Sequence, residues 1–163
     1  MYSLYQRFQD YIAKVFMFIV YTFSALIPVV LFFQVIFRYM FKRPLLGLEE
    51  IASASFIWVV IFGSAVLFKE RKHIIVDVAV QHVSPKVKKT AAFLSDLIMA
   101  GILFVLLRSC FLALPLQKVY KSVVLGIPKR AHTIALMVSL AFMLICTIES
   151  IVQALITKKE PTR

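Results

Sequence analysis

Four long apolar stretches, separated by short groups of charged and turn-forming residues, set the pattern of this 163-residue chain. They cover about residues 15–37, 51–68, 88–114 and 131–156. A helix of about 20 mostly apolar residues is long enough to cross the hydrocarbon core of a bilayer. The pattern therefore predicts an all-α integral membrane protein, in which four transmembrane helices form a single membrane domain over residues 1–163.

The second stretch has the sharpest boundaries. Glu49 and Glu50 precede its 18 uncharged residues, and the charged run 69–72 follows them. The helix macrodipole favours carboxylates in the first turn, and charged groups at both ends of a span reach the headgroup region. These boundaries predict a helix that charge holds across the bilayer at both ends.

Small residues recur along one side of this second span. At 100° per residue, four positions fall on one face: Ala52, Ser55, Val59 and Gly63. Small side chains let helix backbones approach closely, which promotes helix association in lipid. The face predicts a packing seam, and Trp58 lies away from it; chance in a helix rich in alanine and serine is the alternative.

Two further segments are too short or too polar to span. Residues 1–14 alternate aromatic and polar side chains and predict a short amphipathic helix in the interface; a frayed leader is the alternative. Residues 73–83 alternate β-branched side chains like a strand, but an open strand edge is costly near lipid. We therefore expect 73–83 to be an interfacial segment, also helical.

The charge distribution bears on partners and orientation. The net charge of +11 comes from 19 Lys and Arg against 8 Asp and Glu. The basic residues lie in short groups between apolar runs, which favours phospholipid headgroups over nucleic acid as partners. Four spans place both termini on one side, and that side holds 11 basic residues against 8 on the other. The positive-inside rule therefore favours cytoplasmic termini.

The sequence offers little that suggests chemistry. The three histidines, His73, His82 and His132, fall in connections or at a span end, and the sequence contains no CxxC, HExxH or glycine-rich phosphate loop. The two cysteines, Cys110 and Cys146, lie in apolar surroundings that predict small buried hydrophobes. We therefore predict that the chain is not an enzyme and that it carries no catalytic residue, metal or cofactor.

Beyond the first two residues of each apolar stretch, three charged side chains lie inside: Asp96, Arg108 and Glu149. An intramembrane charge is a functional hypothesis by default, but each of these lies toward a span end, where side chains can reach the interface. A stand-alone dimeric exporter would need Asp96 or Glu149 as a titratable carboxylate. A cofactor-bearing electron-transfer subunit would need haem ligands. Both remain alternatives to a subunit that supports another protein.

Several short motifs occur along the chain in a definite order. They lie at residues 37–38 (FR), 47–50 (GLEE), 58 (W), 62–63 (FG) and 73–77 (HIIVD), with 122–128 (SVVLGIP) further on. Together they resemble the small membrane (Q) subunit of TRAP (tripartite ATP-independent periplasmic) transporters, the DctQ-like family. The resemblance covers about residues 15–149; residues 129–130 (KR) depart from the family pattern.

The resemblance implies a non-catalytic small permease subunit of a sodium-coupled secondary transporter in the bacterial inner membrane. Its partners would be a large multi-span membrane subunit that moves by an elevator motion and a periplasmic substrate-binding protein. The cargo would be an organic acid, such as a C4-dicarboxylate, a keto acid or sialic acid. Sodium would bind the large subunit, and this chain would enlarge the static scaffold.

Under this resemblance, the functional residues are contacts with the partner subunit or with lipid. The candidates lie in the first loop, along the second span and just beyond it: Arg38, Glu49, Glu50, Ala52, Ser55, Trp58, Gly63, Arg71, His73 and Asp77.

Overall fold

The structure is a computed structural model with four long helices. They are α1 (Tyr2–Met40), α2 (Leu46–Val78), α3 (Pro85–Ala113) and α4 (Lys129–Thr157), with a short 3-10 helix at Leu116–Lys118. The backbone is described for residues 2–42, 45–78, 85–118, 122, 124–126 and 128–157, and side chains for 7–42, 45–70, 90–117, 122, 124–126, 128–152 and 154.

All four helices are long and apolar enough to cross a membrane. Within the described ranges the chain forms no strand. This confirms the predicted all-α membrane fold with four spanning helices.

The first helix is longer than the predicted span. The predicted leader (1–14) and the predicted span (15–37) are parts of one continuous helix, α1, which contains Pro28. A helix of 39 residues is about 58 Å long, against a hydrocarbon core of about 30 Å. Residues 2–14 therefore continue the helix of the first span, and two of them, Gln9 and Asp10, contact α4 and α2, as shown below.

The second helix also extends past its predicted end. Helix α2 continues to Val78, so residues 73–78 of the expected interfacial segment are helical. The rest of that segment lies outside the described residues. So do the side chains of three candidate residues: Arg71, His73 and Asp77.

The main contacts between helices follow the order α1, α2, α4, α3. In each of the central helices, α2 and α4, 33% of the most apolar 18-residue segment is buried inside the chain. The buried share of the corresponding segment is 11% in α1 and 6% in α3. The two middle helices therefore carry the interior, and the two outer helices present most of their apolar surface to the surroundings.

The core lies where α1, α2 and α4 meet. The ring of Phe16 contacts that of Phe62 at a centroid distance of 4.7 Å and that of Phe142 at 5.3 Å. Ala65 beside them is completely buried. Since lipid is as apolar as these side chains, close packing is what holds such helices together.

Polar contacts join three helix ends on one side of the molecule. Gln9 of α1 donates from Nε2 to Oε2 of Glu149 on α4 at 2.8 Å. Next to it, Lys69 of α2 forms an ion pair with Asp10 of α1. These contacts place the start of α1 and the end of α4 at one end of the bundle, the termini end. The N-terminal ends of α2 and α4 lie at the opposite end.

Candidate functional site

The carboxylate of Glu50 holds the connector between α3 and α4. Its Oε1 accepts a hydrogen bond from the N–H of Val124 at 2.9 Å, and its Oε2 accepts from the N–H of Leu125 at 2.8 Å. The hydroxyl of Ser122 also donates to Oε2, at 2.5 Å. Hydrogen bonds to a charged acceptor are about twice as strong as neutral ones. We call Glu50 with these three partners the Glu50 clasp.

Two glycines lie at the clasp, with different roles. Gly126 has a φ of +65°, in the left-handed region that favours glycine. Gly47, in the first turn of α2, lies against the connector. A Cβ added there would be 3.5 Å from Cδ2 of Leu125 and 3.8 Å from Cγ1 of Val124. The first glycine is needed for its backbone conformation, whereas the second leaves room for a methyl group in ordinary contact.

A groove of about 570 Å³ opens beside the clasp, between the first three turns of α2, the first turn of α4 and the connector. This is within the usual size range of small-molecule sites. Eight of the twelve lining residues are polar or charged and four are apolar: Leu46, Glu49, Glu50, Ser53, Ala54, Ile57, Gln117, Ser122, Val124, Lys129, His132 and Thr133.

The polar groups of the groove are only partly satisfied within the chain. Thr133 donates its hydroxyl to Oε1 of Gln117. The exposed side chains of Glu49 and Lys129 form no hydrogen bond or ion pair with any residue that the structure describes. The buried Nε2 atom of His132 also has no hydrogen-bond partner there, and neither does Nε of Arg130.

A smaller cavity of about 380 Å³ adjoins this region and is lined by both Arg38 and Glu49, with Gln34 and Lys42. Arg38 is exposed. The structure therefore brings three of the residues singled out in the sequence, Arg38, Glu49 and Glu50, to the same end of the molecule.

The predicted seam on α2 lies inside the chain. Ala52 and Ser55 are buried, and the Ser55 hydroxyl donates to the carbonyl oxygen of Ile51 at 2.7 Å. Gly63 faces α1, where an added Cβ would be 3.9 Å from Cγ2 of Val20. Ala52 and Ser55 therefore lie inside the chain, and Gly63 lies partly buried against α1.

Trp58 lies between three helices. Its ring is 5.5 Å from that of Phe23 on α1, 5.7 Å from that of Phe62 on α2 and 6.4 Å from that of His132 on α4. The indole of Trp58, on α2, therefore packs against both α1 and α4.

Several residues of the site could not be singled out in the sequence. In the sequence, Lys129 marks only a departure from the family pattern, and His132 is only a histidine at a span end. The signal in the sequence that points to the clasp is a carboxylate one turn inside α2 together with a connector that contains Gly126 and Pro128.

No group of three or more His, Cys, Asp and Glu side chains that could hold a metal ion occurs in the part of the chain that the structure describes. Among the described residues, the groove offers the carboxylate of Glu49 and the ammonium group of Lys129, neither of them paired, beside apolar side chains such as Ile57.

Fold and site together define a multi-pass α-helical membrane protein with a polar-edged groove at one end. The family model of the DctQ component of tripartite ATP-independent periplasmic transporters matches residues 27–157, most of the chain. The chain belongs to this family, which confirms the resemblance seen in its motifs.

A protein of Haemophilus influenzae, provisionally named a TRAP transporter small permease protein, is 26% identical over 105 residues. The match covers 64% of this chain and 65% of that protein's own length.

Proposed function

We propose that this chain is the small permease subunit of a TRAP transporter and that it braces a large membrane subunit which carries the substrate. One observation carries this proposal beyond the family match: the apolar faces of the two outer helices are left uncovered by the rest of the chain. Of the most apolar 18-residue segment of each helix, only 11% is buried in α1 and 6% in α3.

The uncovered faces carry large side chains. On α1 they include Phe18, with 72% of its surface exposed, and on α3 Phe111, with 67%. Extended apolar faces mark contact with lipid or with another protein. A subunit of this shape can turn one face to a partner and the other to the bilayer.

The internal contacts suit a supporting role. The Glu50 clasp ties α2 to the connector at one end, and the Gln9–Glu149 hydrogen bond ties α1 to α4 at the other. A helix layer held at both ends resists deformation, which a scaffold needs when a neighbouring domain slides against it.

The remaining roles belong to partners. The large subunit would bind sodium and the substrate and would move by an elevator motion, and a periplasmic binding protein would deliver the substrate. The substrate would be an organic acid: a C4-dicarboxylate, a keto acid or sialic acid. This chain would have no cofactor and no catalytic role.

We place the complex in the bacterial inner membrane with both termini of this chain in the cytoplasm. The bias of 11 basic residues against 8 supports this orientation. A tag at the C-terminus that is accessible only after the inner membrane is opened would support it, and a tag accessible from the periplasm would contradict it.

The central test is co-purification and reconstitution. The tagged chain is co-expressed with a large TRAP membrane subunit, and the complex is reconstituted with the binding protein in liposomes. We expect a stable complex and uptake of an organic acid only when sodium, both membrane subunits and the binding protein are present.

The matched controls are liposomes with the large subunit alone and with this chain alone. If the chain alone catalysed uptake, or if the large subunit transported equally well without it, the bracing role would be wrong.

A further inference from the structure

The charges at the groove are arranged in an unusual way for helix ends. Helix α4 begins with Lys129 and Arg130, and its first turn contains no acidic residue. Cations at the N-terminus of a helix face the positive end of its macrodipole, which is unfavourable unless an anion lies nearby. The first turn of α2 carries the opposite charge on Glu49.

The carboxylates of the groove are not equivalent. Glu50 already accepts three hydrogen bonds from the connector, so its charge is engaged. Glu49 and Lys129 have no partner among the described side chains, although both line the groove. Among the described side chains, the groove therefore presents the unengaged negative charge of Glu49 and the unengaged positive charge of Lys129.

Apolar atoms form most of the surface of the groove, although most of its lining residues are polar. From Glu49 the wall formed by α2 continues past Ala54 to Ile57, about 12 Å further along the helix. A ligand with opposite charges at one end and a hydrocarbon chain at the other would match both parts. His132 also lines the groove, and its buried Nε2 has no hydrogen-bond partner among the described residues.

We propose that the groove binds one molecule of phosphatidylethanolamine. Its phosphate faces Lys129 at the start of α4, its primary ammonium group donates hydrogen bonds to Glu49, and an acyl chain runs along the apolar wall toward Ile57. The proposal goes beyond the bracing role and does not depend on it, because it concerns this chain alone.

Headgroup chemistry selects this lipid over its common neighbours. Phosphatidylglycerol has no cation for Glu49, so that carboxylate would face a net negative headgroup. Phosphatidylcholine carries a quaternary ammonium group, which cannot donate a hydrogen bond. Only a primary amine next to a phosphate satisfies both free charges of the groove.

The experiment uses the full chain, purified in detergent and stripped of lipid. It is equilibrated with palmitoyl-oleoyl phosphatidylethanolamine, phosphatidylglycerol or phosphatidylcholine, and bound lipid is counted by native mass spectrometry. We expect one retained phosphatidylethanolamine per chain. Glu49→Gln and Lys129→Gln should each weaken retention about tenfold, the effect of losing one charge-assisted hydrogen bond.

The matched control is Arg108→Gln, which removes an exposed cation on α3 outside the groove and should leave retention unchanged. Equal retention of phosphatidylglycerol by the unmodified chain would overturn the proposal without any variant. So would retention that neither groove variant affects. Displacement by soluble phosphoethanolamine as effective as by the whole lipid would also overturn it, because the apolar wall would then play no part.

A second measurement separates lipid from protein as the occupant. A photo-crosslinking residue at position 57 is activated in native membranes that contain the large subunit. A lipid adduct on this chain supports the proposal, whereas a crosslink to another polypeptide contradicts it. Failure of the lipid proposal would leave complex formation unaffected, so the two hypotheses are tested separately.

Discussion

Gln9, in the third turn of α1, donates a hydrogen bond to the carboxylate of Glu149, which lies 140 positions further along the chain. The amide is almost completely buried, with 5% of the residue exposed. A polar side chain in such a position stabilises the fold only while its partner is present, because an unpaired buried group costs free energy. This contact holds α1 and α4 together at the termini end of the molecule.

Replacing Gln9 with alanine should destabilise the chain by about 1 kcal/mol, since the hydrogen bond to Glu149 and some packing are lost. Glu149→Gln should cost less, because an amide oxygen can still accept from Gln9. Unfolding of the chain in detergent by chemical denaturant measures both. Thr22→Ala is the control: that exposed hydroxyl bonds only to a carbonyl of its own helix, and its loss should change little. A larger effect for Thr22→Ala than for Gln9→Ala would contradict this assignment.

The Glu50 clasp predicts slow amide exchange in the connector. Glu50→Ala removes the acceptor of both backbone N–H groups, so the amides of Val124 and Leu125 should exchange with solvent at least about tenfold faster. Glu50→Gln keeps one acceptor oxygen and should have an intermediate effect. Hydrogen exchange resolved to single residues provides the measurement.

The neighbouring carboxylate provides the control for the clasp. Glu49→Ala removes an identical charge from the same helix turn without removing a hydrogen bond in the described part of the chain. Its connector amides should exchange as in the unmodified protein. Equal acceleration by both substitutions would mean that charge, and not hydrogen bonding, holds the connector.

The two glycines near the clasp should respond differently to alanine. Gly126→Ala should destabilise the protein by about 1 kcal/mol, because a side chain is strained at a φ of +65° although space around it is open. Gly47→Ala should be nearly neutral, since the added methyl group meets Leu125 at an ordinary contact distance. Denaturant unfolding of the two variants compares them directly. The reverse order would refute this description of the turn.

Overpacking of the core should be costly at Ala65. Leucine there has to be accommodated against the Phe16 and Phe62 rings, in a site with no exposed surface, and should cost about 1–3 kcal/mol. Ala91→Leu on the exposed side of α3 adds the same atoms without crowding and should be tolerated. The thermal midpoints of the two variants in detergent report the difference, and equal midpoints would place Ala65 outside the packed core.

Much of the fold was predictable because hydrocarbon imposes a simple rule on sequence. Each spanning helix must satisfy its backbone internally and present apolar side chains over about 20 residues. The four stretches met that rule, and all four are helices long enough to span. The boundaries were less predictable: α1 begins at Tyr2, because Gln9 and Asp10 find partners on other helices that no local pattern reveals.

The site was predictable in part. Glu49 and Glu50 stood out as adjacent carboxylates, but only folding separates their roles, since the connector reaches one of them and leaves the other free. Ala52 and Ser55 were correctly seen as part of a small-residue face, yet a helical pattern cannot say whether that face meets the same chain or another one.

The order of residues along the chain was sufficient to predict the number of spans, their composition and the family, because hydropathy and motif order can be read directly from the sequence. The order of the helices in space, the Glu50 clasp and the charged groove depend on contacts between segments far apart in the chain. Those contacts are selected by packing and by the pairing of polar groups in three dimensions, which is why they appear only in the folded molecule.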